Sequence, residues 1–246
     1  MGAVSGRGLL RLPSSQPLFD VEQFRSEPRR LAFAREVARP TLVLGSTQPA
    51  ELVDRLVLGR HSAELVRRRG GGGAVYLEPG RQLWMDAWIP RDDPLWVLDV
   101  SVAAEWVGAW WTDALARLGL HGFDTHTGRS VPGGLGGLVC FAGRGPGEVF
   151  HRGRKLVGLS QWRSREGALF SSCAYLRWDP APLLGLLHVD EHARDELGRD
   201  LMPLAVGLRE LEPPVEDLGR VRDELLGSFP ALDVPSWRDG DAPGVV

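Results

Sequence analysis

The chain has 246 residues, of which 43% are hydrophobic and 25% charged, and it carries a net charge of −3. This is the composition of a globular protein with one large domain, or one domain and a small appendage, and its mildly acidic balance gives no general reason to expect nucleic acid or a membrane surface as partner. The two cysteines suggest no disulfide framework, no stretch of about 20 apolar residues is present, and the N-terminus lacks a signal-peptide pattern, so a cytoplasmic setting is the expectation.

Residues 1–17 are rich in Gly, Pro and Ser and are expected to be loose. Residues 18–38 carry helix formers, with Pro28 as a break. Pro40–Gly45 reads as a buried strand ending at a glycine and Leu52–Leu58 as a helix. Leu65–Arg68 and Ala74–Leu77 read as short strands on either side of a glycine run. From Gln82 to Ile89 the pattern alternates, with Leu83, Met85, Ala87 and Ile89 on one face and Gln82, Trp84, Asp86 and Trp88 on the other. Asp99 caps a helix running to Leu118, and His121–Gly137 is a Gly-rich connection. Two hairpins follow: Glu148–His151 with Arg154–Val157 around Arg152-Gly153, and Leu159–Arg163 with Ala168–Arg177. From Asp190 the chain turns helical, and it loosens again after Pro235. Strands joined by hairpins point to an α+β fold with a mixed, mostly antiparallel sheet and flanking helices. The boundaries are a catalytic domain over 18–188, a C-terminal helical extension over 189–235 and a loose tail over 236–246.

Two basic runs stand out, Arg67-Arg68-Arg69 and Arg152, Arg154 and Lys155. In an acidic chain such clusters suit an anionic small molecule better than a duplex. The first run leads into Gly70-Gly71-Gly72-Gly73. Four glycines let backbone approach a ligand closely and let several N–H groups point at one anion, while the arginines add forked donors. No Gly-Lys-Ser or Gly-Lys-Thr follows, and the glycine spacing is not that of a dinucleotide fold. The six histidines are scattered and show no Cys/His spacing for zinc, so no metal site is expected in the protein itself.

The segment Arg67-Arg68-Arg69-Gly70-Gly71-Gly72-Gly73-Ala74-Val75-Tyr76 resembles the signature R-R-x-S-G-G-G-A-V-Y-H-D of the lipoate–protein ligase A family. Gly70 stands where that family has Ser, and Leu77-Glu78 stand where it has His-Asp. Lys155-Leu156-Val157-Gly158-Leu159-Ser160-Gln161 is similar to the family's K-[IV]-x-G-x-A-Q. Cys140-Phe141, Glu148 and Gly153-Arg154-Lys155 are similar to the C-F-x6-E-x4-G-x-K pattern of cysteine-dependent octanoyl transferases of the same fold. The family's His-Gly-Ser is absent, and Ser172-Cys173-Ala174 stands there.

The resemblance implies the biotin/lipoate protein ligase catalytic fold and an enzyme that attaches lipoate or octanoate to a lysine of a lipoyl carrier domain. It implies Lys155 as the residue that contacts the acyl carbonyl and phosphate, with Arg67 to Tyr76, Gly158 and Gln161 as acyl- or adenylate-binding positions. A ligase using ATP and Mg²⁺ is the leading expectation. The alternative is an octanoyl or lipoyl transferase that needs no cofactor and carries the acyl group on Cys140, taken from an acyl carrier protein or another lipoyl domain. A third reading is a non-catalytic module that binds an acyl group or a lipoyl domain. The implied partners are lipoyl domains of 2-oxoacid dehydrogenases or of the glycine cleavage system.

Overall fold

The computed structural model describes Arg25 and residues 27–131 and 133–229. The segments expected to be loose, 1–17 and 236–246, lie outside the described residues. A six-stranded sheet has the order β1-β5-β9-β8-β7-β6, and a three-stranded sheet the order β3-β2-β4. The strands are β1 (Leu31–Arg35), β2 (Thr41–Leu44), β3 (Glu64–Arg67), β4 (Val75–Leu77), β5 (Gln82–Pro90), β6 (Phe123–Thr125), β7 (Val149–His151), β8 (Arg154–Arg163) and β9 (Gly167–Tyr175). The helices are α1 (Arg55–Arg60), α2 (Glu105–Arg117), α3 (Ala181–Gly185), α4 (Glu191–Leu201) and α5 (Leu218–Ser228). Every pairing in the large sheet is antiparallel, and β2 pairs β3 in parallel, so the sheets are mixed and mostly antiparallel as expected.

The large sheet is buried on both faces, which is why β5 has no exposed residue. Met85, Ala87 and Ile89 point to one side and join Trp106, Trp110 and Trp111 of α2 and Leu225 of α5 in a core. Each such apolar side chain contributes about 1.5–3 kcal/mol by leaving water. Trp110 Nε1 donates to the Leu225 carbonyl at 2.9 Å, which ties α5 into this core. On the opposite side Trp84 and Cys173 meet Leu42, Leu44, Val75 and Leu77 of the small sheet, with Phe141 and Trp178.

Asp99 caps its helix as expected, accepting from Ser101 N and Val102 N at 2.7 and 3.1 Å. Its first turn is 3₁₀ before α2 proper begins. Two expectations are corrected. Residues 31–35, read as helical, form edge strand β1, because pairing with β5 from Leu31↔Trp88 to Arg35↔Trp84 outweighs local propensity. The Arg35 guanidinium also meets the buried Asp86 carboxylate there. The 121–137 connection contains β6, which completes the sheet edge beside β7.

Candidate active site

The site begins with the β7–β8 hairpin. Arg152 and Gly153 both take positive φ, 50° and 78°, as a tight two-residue turn demands. The register then slips: Phe150 faces Lys155, but Val149 faces Val157. Leu156 is the extra residue of a β-bulge. Leu156 and Val157 consequently both enter the α2 core, and Lys155 is re-aimed to the opposite face of β8. Gly158, Ser160 and Trp162 share that face with it. A Cβ on Gly158 would lie 3.1 Å from the Phe141 ring, and one on Gly70 would lie 2.1 Å from Ser160 Oγ. The Arg69 guanidinium stacks 5.3 Å from the Trp162 ring centroid.

Lys155 is 1% exposed. Its Nζ lies 2.7 Å from Glu148 Oε2, donates to the Cys140 carbonyl at 2.8 Å, and sits 5.9 Å from the Phe141 ring centroid. Glu148 also accepts from Gly145 N at 2.6 Å and Leu159 N at 3.2 Å. A lone buried ammonium would be costly, and the paired carboxylate is what permits it here. Burial pushes the Glu148 carboxyl above its ordinary value, while Lys155 pulls it back. The C-terminal segment holds the same strand, since Val206 N donates to the Lys155 carbonyl at 2.9 Å.

The three arginines before the glycine loop turn in different directions. Arg67 Nη1 donates to the Gly45 and Gln48 carbonyls, anchoring the end of β2. Arg68, 3% exposed, donates from Nε and Nη2 to Gly71 O at 3.2 and 2.7 Å and from Nη2 to Gly73 O at 2.8 Å. Its Nη1 is buried without a partner among the described residues. Across a trans peptide the next N–H points away from the carbonyl, so the Gly72 N–H faces away from Arg68. Among the described residues the amides of Gly71, Gly72 and Gly73 have no acceptor. Gly72 has φ +96°, and a side chain there would lie 2.9 Å from Arg68 Nη2 and 3.9 Å from Cys140 Sγ. Glycine is required at this position on both counts.

Cys140 opens a 3₁₀ turn and is half-buried, with its N–H donating to Ala74 O at 3.1 Å. The three sequence motifs therefore converge: the glycine loop lies beside Cys140 Sγ, and Lys155 holds the Cys140 carbonyl. Cys173 is buried, and burial drives its thiol well above the ordinary range, with Cys140 adding to the shift. Ala74, Val75 and Tyr76 are strand positions, and Ala74 bridges Val139. Ala74 and Tyr76 line a cavity with Val139, Phe141, Tyr175 and Trp178. Gly158 packs beneath Phe141. Gln161 pairs with Phe170, a residue of the α2 core, so its side chain leaves β8 on the face away from the glycine loop. The physical reason is the period-two alternation that brings its neighbour Ser160 to the loop.

The motifs contain Glu148 and Ser160, but sequence reasoning assigned neither a role at the site. One unused signal was compositional: Lys155 is the only lysine in the sequence, and every other Lys/Arg position is arginine. A compact ammonium fits the closed space between Glu148 and the Cys140 carbonyl, where a planar guanidinium does not. No such signal marks Ser160, which only the tertiary contact with Gly70 reveals.

The lipoyl protein ligase A/B catalytic domain family matches residues 20–225. The octanoyltransferase LipM of Kyrpidia tusciae is 30% identical over 198 residues, 77% of this chain and 70% of that protein. Among solved structures, a bipartite lipoate protein ligase of Thermoplasma acidophilum, studied with its E2 lipoyl domain, aligns with a TM-score of 0.65 at 20% identity, covering 83% of this chain and 71% of that one. Lipoate-protein ligase A bound with ATP aligns with a TM-score of 0.61 at 20% identity, covering 85% and 74%. At these identities the two structures share the fold.

Proposed function

This chain belongs to the lipoyl protein ligase A/B catalytic domain family, whose members are enzymes, and from that premise we propose that it transfers an octanoyl or lipoyl group through Cys140 to a lysine of a lipoyl carrier domain. The observation that carries the reading is the placement of Cys140: its Sγ lies against Gly72 and its carbonyl is held by the buried Lys155. The motifs alone put a ligase first. The order changes here because two of the three arginines read as ligand-binding, Arg67 and Arg68, are engaged by carbonyls of the loop and its neighbour.

The Cys140 sulfur attacks the carbonyl carbon of an acyl thioester, forming a new C–S bond. The carrier sulfur leaves and takes up a proton. The amine of the carrier lysine then attacks the Cys140 thioester, an amide forms, the Cys140 sulfur departs, and the amine proton is lost to solvent. Negative charge develops on the carbonyl oxygen in each step. The unaccepted amides at Gly71–Gly73 and the fixed charge of Lys155 are suited to stabilise it. The cavity walled by Val139 and Phe141, the neighbours of Cys140, also has Glu78, Arg81, Arg177 and Asp179 in its lining, and its apolar wall is suited to the acyl chain.

An ATP-dependent ligase is the second reading, supported by the same amides, which could also hold a phosphate. Mg²⁺ requires oxygen donors such as carboxylates. The carboxylate beside Lys155 is Glu148, already engaged by that ammonium and by two amides, so Glu148 does not fit the metal. Mass spectrometry of a lipoyl domain separates the readings. Transfer from octanoyl carrier protein that is lost in Cys140→Ser, with a thioester adduct on Cys140 of the wild type, supports transfer. Modification that needs ATP and free acid and survives Cys140→Ser supports the ligase and refutes transfer. If neither donor modifies the carrier, both readings fail.

A further inference from the structure

Position 160 is alanine in the K-[IV]-x-G-x-A-Q pattern and serine here, while position 70 is serine in the R-R-x-S-G-G-G pattern and glycine here. The fold puts these two departures in contact. A Cβ on Gly70 would lie 2.1 Å from Ser160 Oγ and 3.4 Å from Ser160 Cβ. A side chain at position 70 would meet Ser160 Oγ and also lie 3.1 Å from the Gln161 carbonyl oxygen, so position 70 and the Ser160 hydroxyl compete for one space. The Ser160 hydroxyl stands at the start of the glycine loop, and among the described residues it has no hydrogen-bond partner. Beyond it the loop opens, since nothing lies within 4 Å of where a Gly71 Cβ would be. Ser160 also shares the bulge-defined face of β8 with Lys155.

We propose that Ser160 is a substrate-positioning residue: it supplies from β8 the hydroxyl that related sequences carry on the glycine loop, and it hydrogen-bonds an acceptor oxygen of the bound acyl donor. This rests on the transfer reading of Cys140. A hydroxyl without a protein partner beside amides without acceptors forms one continuous set of donors for such an oxygen. Delivering it from a paired strand places it on a firmer support than the loop offers.

The test is a double-variant cycle on the full chain, reading Cys140 acylation by octanoyl carrier protein and, in parallel, the melting temperature. Ser160→Ala should melt like the wild type and lose about tenfold in kcat/KM, the effect of one hydrogen bond to the substrate. Gly70→Ser alone should lose both stability and activity, because its Cβ meets Ser160. Gly70→Ser with Ser160→Ala should regain most of the melting temperature lost in Gly70→Ser, the Gln161 carbonyl at 3.1 Å still crowding the new side chain, and come within about threefold of wild-type kcat/KM. A Ser160→Ala protein of unchanged kcat/KM, or a double variant no better than Gly70→Ser alone, overturns the assignment. Cys140→Ser run alongside separates the two ideas. Wild-type acylation lost in Cys140→Ser, with no recovery in the double variant, overturns the role of Ser160 alone. A wild type that forms no Cys140 thioester overturns transfer and this role with it.

Discussion

Arg67, Arg68 and Arg69 stand at the end of a strand, and all three are engaged within the protein: two hold backbone carbonyls and one stacks on Trp162. Arg152, Arg154 and Lys155 stand on a hairpin. Its two arginines turn outward to Glu212 and Glu210 of the C-terminal segment, and its lysine turns in to Glu148. Charge density is similar in the two runs. What separates them is the acceptor that the fold offers. Where backbone carbonyls crowd around a glycine loop, forked guanidinium groups satisfy several at once. Where a bulge aims one side chain into a closed space, a point charge with a single carboxylate partner fits.

The largest expected effect comes from breaking the inward half of the hairpin. Lys155→Ala leaves the Glu148 carboxylate buried and unpaired, a loss of about 3–5 kcal/mol. Calorimetry should record a melting temperature lower by about 6–20 °C, with acyl transfer abolished. Lys155→Met combined with Glu148→Leu should recover most of the stability and none of the transfer. A Lys155→Ala protein as stable as the wild type would break the contrast outright.

Arg68→Ala comes next. It removes the bonds to the Gly71 and Gly73 carbonyls and should cost about 2–4 kcal/mol in urea unfolding, since hydrogen bonds to a charged group are among the stronger ones. Arg68→Lys should not restore it, because an ammonium does not reproduce the fork. Full rescue by lysine would mean that charge, not geometry, shapes the loop.

The third effect depends on pH. Burial holds the Glu148 carboxyl above its ordinary value of 4.5, so the folded protein keeps a proton that the unfolded chain has already lost. The stability contributed this way is fully present below the unfolded-state value and declines as pH rises through the folded-state value. The unfolding free energy of the wild type relative to Glu148→Gln should therefore fall as pH is raised from about 4.5 toward neutrality. A rise over that window would show that Lys155 outweighs burial. The smallest effect belongs to the outward half. Arg152→Ala should change stability by less than about 0.5 kcal/mol, because an exposed ion pair is screened by water.

Local pattern determined a good deal of this protein. The alternation of β5, the Arg152-Gly153 turn, the Asp99 cap and the glycine loop were legible because each depends on a few neighbouring residues and a fixed backbone period. The order of the motifs was enough to indicate the family. Tertiary structure decided the rest. β1 exists because β5 has an edge to pair. Gln161 faces away from the loop and Ser160 toward it, a matter of register against β9 that composition does not reveal. Arg67 holds carbonyls that another segment, Gly45 to Gln48, brings to it. Lys155 reaches Cys140 through one extra residue in β8, and a single-residue bulge reverses every face assignment beyond it.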